Sequence, residues 1–364
     1  MTNISKLLAA DKISFPGDAL RYGEGGTFSA PVVVWHMTSR CNLACRHCYA
    51  AHPGTEPFDM DRGEASAFLG ALGRLRVPAL LMSGGEPMAH PEFFSCVSMA
   101  RDRGLRVTLS TNGTMIDRDA ARRMSGAVGY VGVSVDGPTA VNDAFRGMDG
   151  AFRASTEAMG FLAASGVRVG LRVTLARPVL RRLPDIFRLA EDLPVSRICF
   201  YHFVPSGRGA LDASLAPSEA ERARAVGAII EWADSAPRGA SLEILTVGDA
   251  SDGVRVREYL RETDEGRLAG AEALFGRAAS GVSPGLLSVR WDGVVFPNQF
   301  AWDRPLGTWR ELERIMGDAR RGGTAPECLT CAWSARGICP GRLEILSERL
   351  GEPCPLHERG HGRA

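Results

Sequence analysis

Apolar and polar positions alternate in blocks along the chain as far as about residue 210. Strand-like apolar runs occupy 32–38 (VVVWHMT), 79–83 (ALLMS), 106–110 (RVTLS), 129–135 (GYVGVSV), 167–175 (VRVGLRVTL) and 197–204 (RICFYHFV). Between them lie segments of helical period. In one of these, Asp61 stands as an N-cap with Glu64 three positions on, and Ala65, Phe68, Leu69, Leu72 and Leu75 then mark one face. Six strands alternating with helices predict parallel β/α units with right-handed crossovers. The runs are apolar on both faces, as expected of parallel strands covered on both sides. Beyond 210 the rhythm changes. A polar helical stretch extends to about 235, and a strand-like SLEILTV follows at 241–247. In the segment 286–300, Asp292-Gly293 sits between two apolar runs and predicts a hairpin. A boundary therefore falls near 210–245.

Composition adds few constraints. The 364 residues allow two domains, or one large domain with an appendage, and 45% hydrophobic residues are enough for a sizeable core. A net charge of +1 leaves no footprint for nucleic acid or an anionic membrane. No apolar run reaches the roughly 18 residues of a membrane span, and MTNISKLLAADKI has no secretory h-region. The expected compartment is the cytoplasm. Cysteines stay reduced there, so clusters of them favour metal binding or catalysis over disulfides.

Nine cysteines are present, and three of them, Cys41, Cys45 and Cys48, lie within TSRCNLACRHCYA. Buried thiols are a poor explanation, because Arg46 and His47 separate them and the spacing is too tight for one apolar face. A structural zinc site is normally closed by four ligands, and His47 would be an awkward fourth. An iron–sulfur cubane is usually held by four thiolates, so three leave one iron open to bind something else. In parallel α/β folds, ligands gather at the carboxyl ends of the strands. This is where the cysteine stretch lies, together with SGGEP (83–87), STNG (110–113) and SVDG (134–137).

C-x3-C-x2-C followed by an aromatic residue, Tyr49, resembles the radical S-adenosylmethionine (SAM) enzymes. The resemblance covers about residues 30–210 and implies a partial (β/α)6 barrel of TIM type. It implies a [4Fe-4S] cluster on Cys41, Cys45 and Cys48 whose fourth iron is chelated by SAM. Such enzymes take an electron from an external one-electron reductant such as flavodoxin or ferredoxin. They cleave SAM to a 5′-deoxyadenosyl radical that abstracts a substrate hydrogen. The resemblance further implies that Gly84, Gly85 and Glu86 receive the methionine amino group. Asn112, Ser134 and Asp136 would then lie near ribose and methionine, and Arg146 and Arg172 are candidates for the SAM carboxylate. Turn capping, for the first three, and ordinary ion pairs, for the arginines, are the plain alternatives.

Four further cysteines, Cys328, Cys331, Cys339 and Cys354, have the spacing C-x2-C-x7-C-x14-C. They suit a structural zinc or, by resemblance to SPASM/twitch domains, one auxiliary iron–sulfur cluster. Cys96 and Cys199 are left over, the former read as a buried thiol. The stretches 31–43, 198–209, 243–253 and 296–300 resemble a narrower group, the enzymes of heme d1 synthesis and the alternative heme pathway. That resemblance implies a siroheme- or coproheme-derived tetrapyrrole whose carboxylate side chains are removed or oxidised. A peptide-maturing enzyme is the alternative. His202 and Arg208 are candidate substrate residues, with a core histidine and a solvated loop charge as the plain readings. One departure stands out: where the group reads Asp-Asn-His-Ala-Asp-Gly, this chain has Gly248, Asp249 and Ala250 in the first three places. The resulting layout is an extension (1–30), a barrel (31–210), a connecting helix and strand (211–245) and an auxiliary cluster domain (246–364). Changing Cys328 to alanine should halve the iron of reconstituted protein, from about eight atoms to about four if both clusters are cubanes. Iron that stays constant in this variant would identify a zinc site instead.

Overall fold

The computed structural model describes residues 1–10, 12–16, 18, 30–52, 56, 58–236, 241–249, 251–280 and 285–319. Each of the six predicted runs forms a strand, slightly trimmed: β2 (Val32–His36), β3 (Leu80–Ser83), β4 (Val107–Thr111), β5 (Tyr130–Ser134), β6 (Val169–Leu175) and β7 (Arg197–His202). Consecutive members pair in parallel. The parallel sheet then extends past the predicted six. β8 (Glu243–Val247) continues it beside β7, and β9 (Leu286–Val289) flanks β2. A short β1 (Thr2–Asn3) caps the β8 edge in antiparallel sense. The hairpin at Asp292-Gly293 forms as predicted. β10 (Val294–Phe296) returns antiparallel to β9, and β11 (Gly307–Thr308) pairs with β10. The order β1-β8-β7-β6-β5-β4-β3-β2-β9-β10-β11 leaves the sheet open.

Local sequence explains the helices. The Asp61 side chain accepts from the Glu64 amide and starts helix Arg62–Arg74, which buries Ala65, Phe68, Leu69 and Leu72. Ser218 and Glu221 form a capping box at the head of Glu219–Ser235. Trp35 on β2 meets Phe68 of the first of these helices edge to face, with ring centroids 5.2 Å apart. Trp35 and Phe68 are both fully buried.

The other face of the sheet is not apolar as the sequence suggested. Cross-strand partners share a face, and the partners here are His36 with Ser83, Ser110 with Gly132, Ser134 with Arg172, Arg172 with Cys199, and Thr174 with Tyr201. The inner face is therefore polar and carries arginine, histidine and tyrosine. Two glycines make room for it. A Cβ on Gly132 would lie 2.6 Å from the Arg172 side chain, and one on Gly170 would lie 2.0 Å from the Tyr130 hydroxyl. That hydroxyl is buried without a hydrogen-bond partner among the described residues.

Gly170→Ala should therefore destabilise the protein by about 1–3 kcal/mol in chemical denaturation, the usual cost of overpacking. Adding Tyr130→Phe should restore part of this, because the nearest atom is removed while the ring carbons at 2.7 and 2.8 Å remain. A neutral Gly170→Ala would show that the inner face is loosely packed there.

Candidate active site

The loop after β2 carries Cys41, Cys45 and Cys48, and three separate segments grip it through its backbone. On one side is the SGGEP turn after β3. Its Gly85 amide donates to the Thr38 carbonyl and its Glu86 amide to the Arg40 carbonyl, each at 2.8 Å. A Cβ on Gly85 would lie 2.1 Å from the Arg40 oxygen, and one on Gly84, at φ +142°, 2.6 Å from the Thr38 oxygen. The close approach that both glycines permit is thus to the stem of the cysteine loop. On the second side, helix Thr139–Arg146 ends against the loop. The Ala44 amide donates to the Arg146 carbonyl at 3.2 Å, and the Arg46 amide to the Phe145 carbonyl at 3.0 Å. The third grip is the SGRG turn after β7. Here the Arg208 amide donates to the Cys48 carbonyl at 2.9 Å, and its guanidinium donates to the Cys45 carbonyl at 2.7 Å.

The remaining predicted residues tighten this arrangement. Glu86 is fully buried, and its carboxylate accepts from the Thr111 hydroxyl, the Asn112 amide and the Met88 amide. Burial pushes its pKa up, while the bonds from Asn112 and Thr111 pull the other way. The Asn112 side chain reaches the loop itself, donating to Asn42 Oδ1 at 2.9 Å. Asp136 is fully buried, accepts from the Thr174 amide at 2.7 Å and pairs with Arg146 at 2.5 Å. Arg146 in turn points one nitrogen at Cys45 Sγ, 3.9 Å away. His47 stacks on Phe145 at 4.3 Å and faces Asp136 at 3.5 Å. Burial pushes its pKa down to about 4, so the ring is neutral.

Tyr49 turns inward, where it meets His36 and Phe300 edge to face, with centroids 5.9 and 5.3 Å away. Ser134 is half-buried at the end of β5, opposite Arg172. The Arg172 guanidinium lies over the Tyr201 ring at 4.3 Å, and no carboxylate among the described residues pairs with it. His202 lies elsewhere. It alternates with Tyr201 on β7, so it faces the opposite side of the sheet, where Nε2 meets Asp252 at 2.8 Å. Burial lowers its pKa, Asp252 more than offsets this, and the net direction is up. The segment that departs from the heme-pathway pattern packs against this pair, since Gly248, at φ +108°, abuts the His202 side chain. Ala250 lies outside the described residues, as do Cys328, Cys331, Cys339 and Cys354. Cys96 is a buried thiol on helix Phe93–Asp102, and Cys199 is buried on the inner face.

Comparison with known proteins agrees with this geometry. Residues 35–189 match the model of the radical SAM superfamily. The Fe-coproporphyrin III synthase of Methanosarcina barkeri is 35% identical over 96% of this chain and 94% of its own. The chain belongs to the radical SAM superfamily. The pre-heme d1 synthase of Dinoroseobacter shibae is 32% identical over 89% of this chain and 84% of its own. Among solved structures, SuiB of Streptococcus suis bound to its precursor peptide SuiA shares the fold. Its TM-score is 0.65, at 14% identity over 87% of this chain and 72% of that one.

Membership implies a [4Fe-4S] cluster and SAM, and the loop suits the cluster. Among the described residues no three His, Cys, Asp or Glu side chains close on a single-ion position. The three thiols nevertheless lie close enough to influence one another. Cys41 is exposed at the loop surface, yet partial desolvation of its thiol raises its pKa, against an amide bond from Leu43, and Glu86, Cys45 and Cys48 add to the rise. Cationic iron would reverse that direction, since a coordinating thiol loses its proton. A cubane is wider than one ion, so its ligands stand further apart than those of zinc. The guanidinium of Arg146 and the Leu43 amide, which donates to Cys41 Sγ at 3.4 Å, already favour thiolate.

One inner-face residue escaped the sequence reading. His36 is fully buried on β2, and neither ring nitrogen has a partner among the described residues. A lone histidine inside the apolar run VVVWHMT was the available signal.

Gly85→Ala should force the Arg40 backbone aside and cut the iron retained per chain after reconstitution by half or more. Gly160→Ala, on an open part of helix Ala151–Ala164, should leave iron unchanged. Equal iron in both variants would show that the loop stem tolerates displacement.

Proposed function

We propose that this radical SAM enzyme acts on a tetrapyrrole derived from siroheme or coproheme, removing or oxidising its carboxylate side chains. The observation that carries this reading is the end-to-end likeness to the Methanosarcina barkeri enzyme, which spans 96% of this chain and not the barrel alone. The polar inner face supports it, because Arg172 offers a cation that no described carboxylate neutralises. Such a cation inside a fold is costly unless an anion joins it. When bound, the cluster and SAM supply the radical that takes hydrogen from the substrate. The chain's own residues fix the geometry around them. Glu86 and Asn112 lock the loop, Arg146 and Asp136 steady Cys45, and Gly132 and Gly170 leave room for the inner-face side chains. The four C-terminal cysteines would hold an auxiliary cluster that accepts an electron from the substrate or helps position it. The external reductant would be a small one-electron carrier such as flavodoxin or ferredoxin.

The test is anaerobic. Reconstituted protein receives SAM, dithionite and a panel of siroheme- and coproheme-derived porphyrins, and 5′-deoxyadenosine and porphyrin mass are followed together. One porphyrin should lose mass in step with 5′-deoxyadenosine. Replacing Cys41, Cys45 and Cys48 by alanine should abolish both signals. SAM cleavage with every porphyrin unchanged would overturn the tetrapyrrole reading and favour a peptide substrate.

A further inference from the structure

His36 is the least satisfied buried polar side chain next to the site. Both of its ring nitrogens are enclosed and have no partner among the described residues. Burial, with the nearby Arg290 charge adding to it, pushes its pKa down to about 3, so it stays neutral, with one N–H to donate. Trp302 stands against it at 81°, with ring centroids 5.4 Å apart, and its indole N–H is also buried without an acceptor among the described residues. Arg290 lies 5.9 Å from the Trp302 ring, and Asp292 pairs with it on the side where the β9–β10 hairpin turns. Tyr49 closes the other flank of His36. Leaving a buried donor unmade costs about 1–3 kcal/mol, so two such donors on neighbouring rings call for an acceptor that the described residues do not supply.

We propose that His36 and Trp302 form an anion-accepting corner of the active site that takes one carboxylate of the substrate. This rests on the reading of the substrate as a carboxylated tetrapyrrole. Several features favour the substrate over SAM. The segments that grip the cysteine loop are the turns after β3 and β7 and the end of helix Thr139–Arg146. Ser83, at the head of the first of these turns, pairs with His36 across the sheet, and Tyr49 of the loop flanks it, but neither donor of the corner comes from a gripping segment. The corner's second donor, Trp302, follows the β9–β10 hairpin, which flanks β2 on the opposite side from β3. An imidazole N–H and an indole N–H are each able to donate to one oxygen of a carboxylate. A net positive charge is not required, because charge-assisted bonds to a carboxylate are stronger than neutral ones.

The experiment uses reconstituted full-length protein under anaerobic conditions. Coproporphyrin III and its tetramethyl ester are the probes, and affinity is read from the Soret band and, for SAM, by equilibrium dialysis. His36→Phe should weaken coproporphyrin III binding about tenfold while ester binding changes less than twofold, since the ester lacks the anion. His36→Gln should recover part of the loss. Trp302→Phe, which keeps the aromatic wall, should show the same discrimination even if His36→Phe does not fold. Equal affinity for the acid in wild type and both variants would overturn the assignment. So would a parallel loss of acid and ester, which signals a packing defect, or a loss confined to SAM, which would hand the corner to the cofactor. A wild-type protein that binds neither porphyrin would sink the tetrapyrrole reading itself, and this inference with it.

Discussion

The cysteine loop is held by its backbone, and much of the site follows from that constraint. Three cysteines on a free loop would sample many arrangements, and ordering them would cost roughly 1–2 kcal/mol per residue in backbone entropy. Here amide–carbonyl bonds from the turn after β3, from the end of helix Thr139–Arg146 and from the turn after β7 fix the loop. Each gripping segment also contributes a side chain to the same neighbourhood. Glu86 ties the loop to β4 through Thr111 and Asn112, Arg146 reaches Cys45, and Arg208 braces the Cys45 carbonyl. The residues that read in sequence as a list of ligand contacts are thus, in the fold, also the supports of the loop that holds the cluster.

This arrangement assigns distinct work to the two faces of the sheet. The outer face buries Trp35 against Phe68 and is closed by helices whose starts are set by capping residues such as Asp61 and Ser218. His202 belongs to that layer and pins β7 to the head of helix Asp252–Thr263 through Asp252. Several polar groups of the inner face have no partner among the described residues. Arg172 has an aromatic neighbour and no described carboxylate partner, the Tyr130 hydroxyl has no partner, and His36 has none at either nitrogen. Trp35 Nε1, His202 Nδ1 and Thr246 Oγ1 on the outer face also lack a partner among the described residues, so what sets the inner face apart is its charge and polarity, carried by Arg172, His36 and Tyr201.

The superfamily assignment and the tetrapyrrole proposal rest on different parts of the molecule. The barrel and its loop suffice for the first, and the match over residues 35–189 coincides with them. The second draws on likeness along the whole chain, including β8, β9 and the hairpin, which flank the six central strands. These added strands carry the departures as well. Gly248 and Asp249 replace polar residues of the heme-pathway pattern next to His202, while Trp302 and Arg290 complete the His36 corner from the other edge.

The sequence alone determined the order and type of the central elements, because apolar periodicity and capping residues act over a few neighbouring positions. It determined the cysteine spacing for the same local reason, and the Asp292-Gly293 hairpin followed from turn chemistry. Which face each strand residue takes, and what meets it there, was decided only by tertiary structure. The run VVVWHMT reads as uniformly apolar, yet alternation sends Trp35 into the core and His36 to the ligand side. Arg208 reads as a substrate candidate or a solvated loop charge and becomes a brace, because the turn after β7 folds over a loop some 160 residues earlier in the chain. His202 reads as a pocket residue and becomes a pin, because one step of the pleat reverses its face. Register and packing are long-range properties, and no pattern within a short window specifies them.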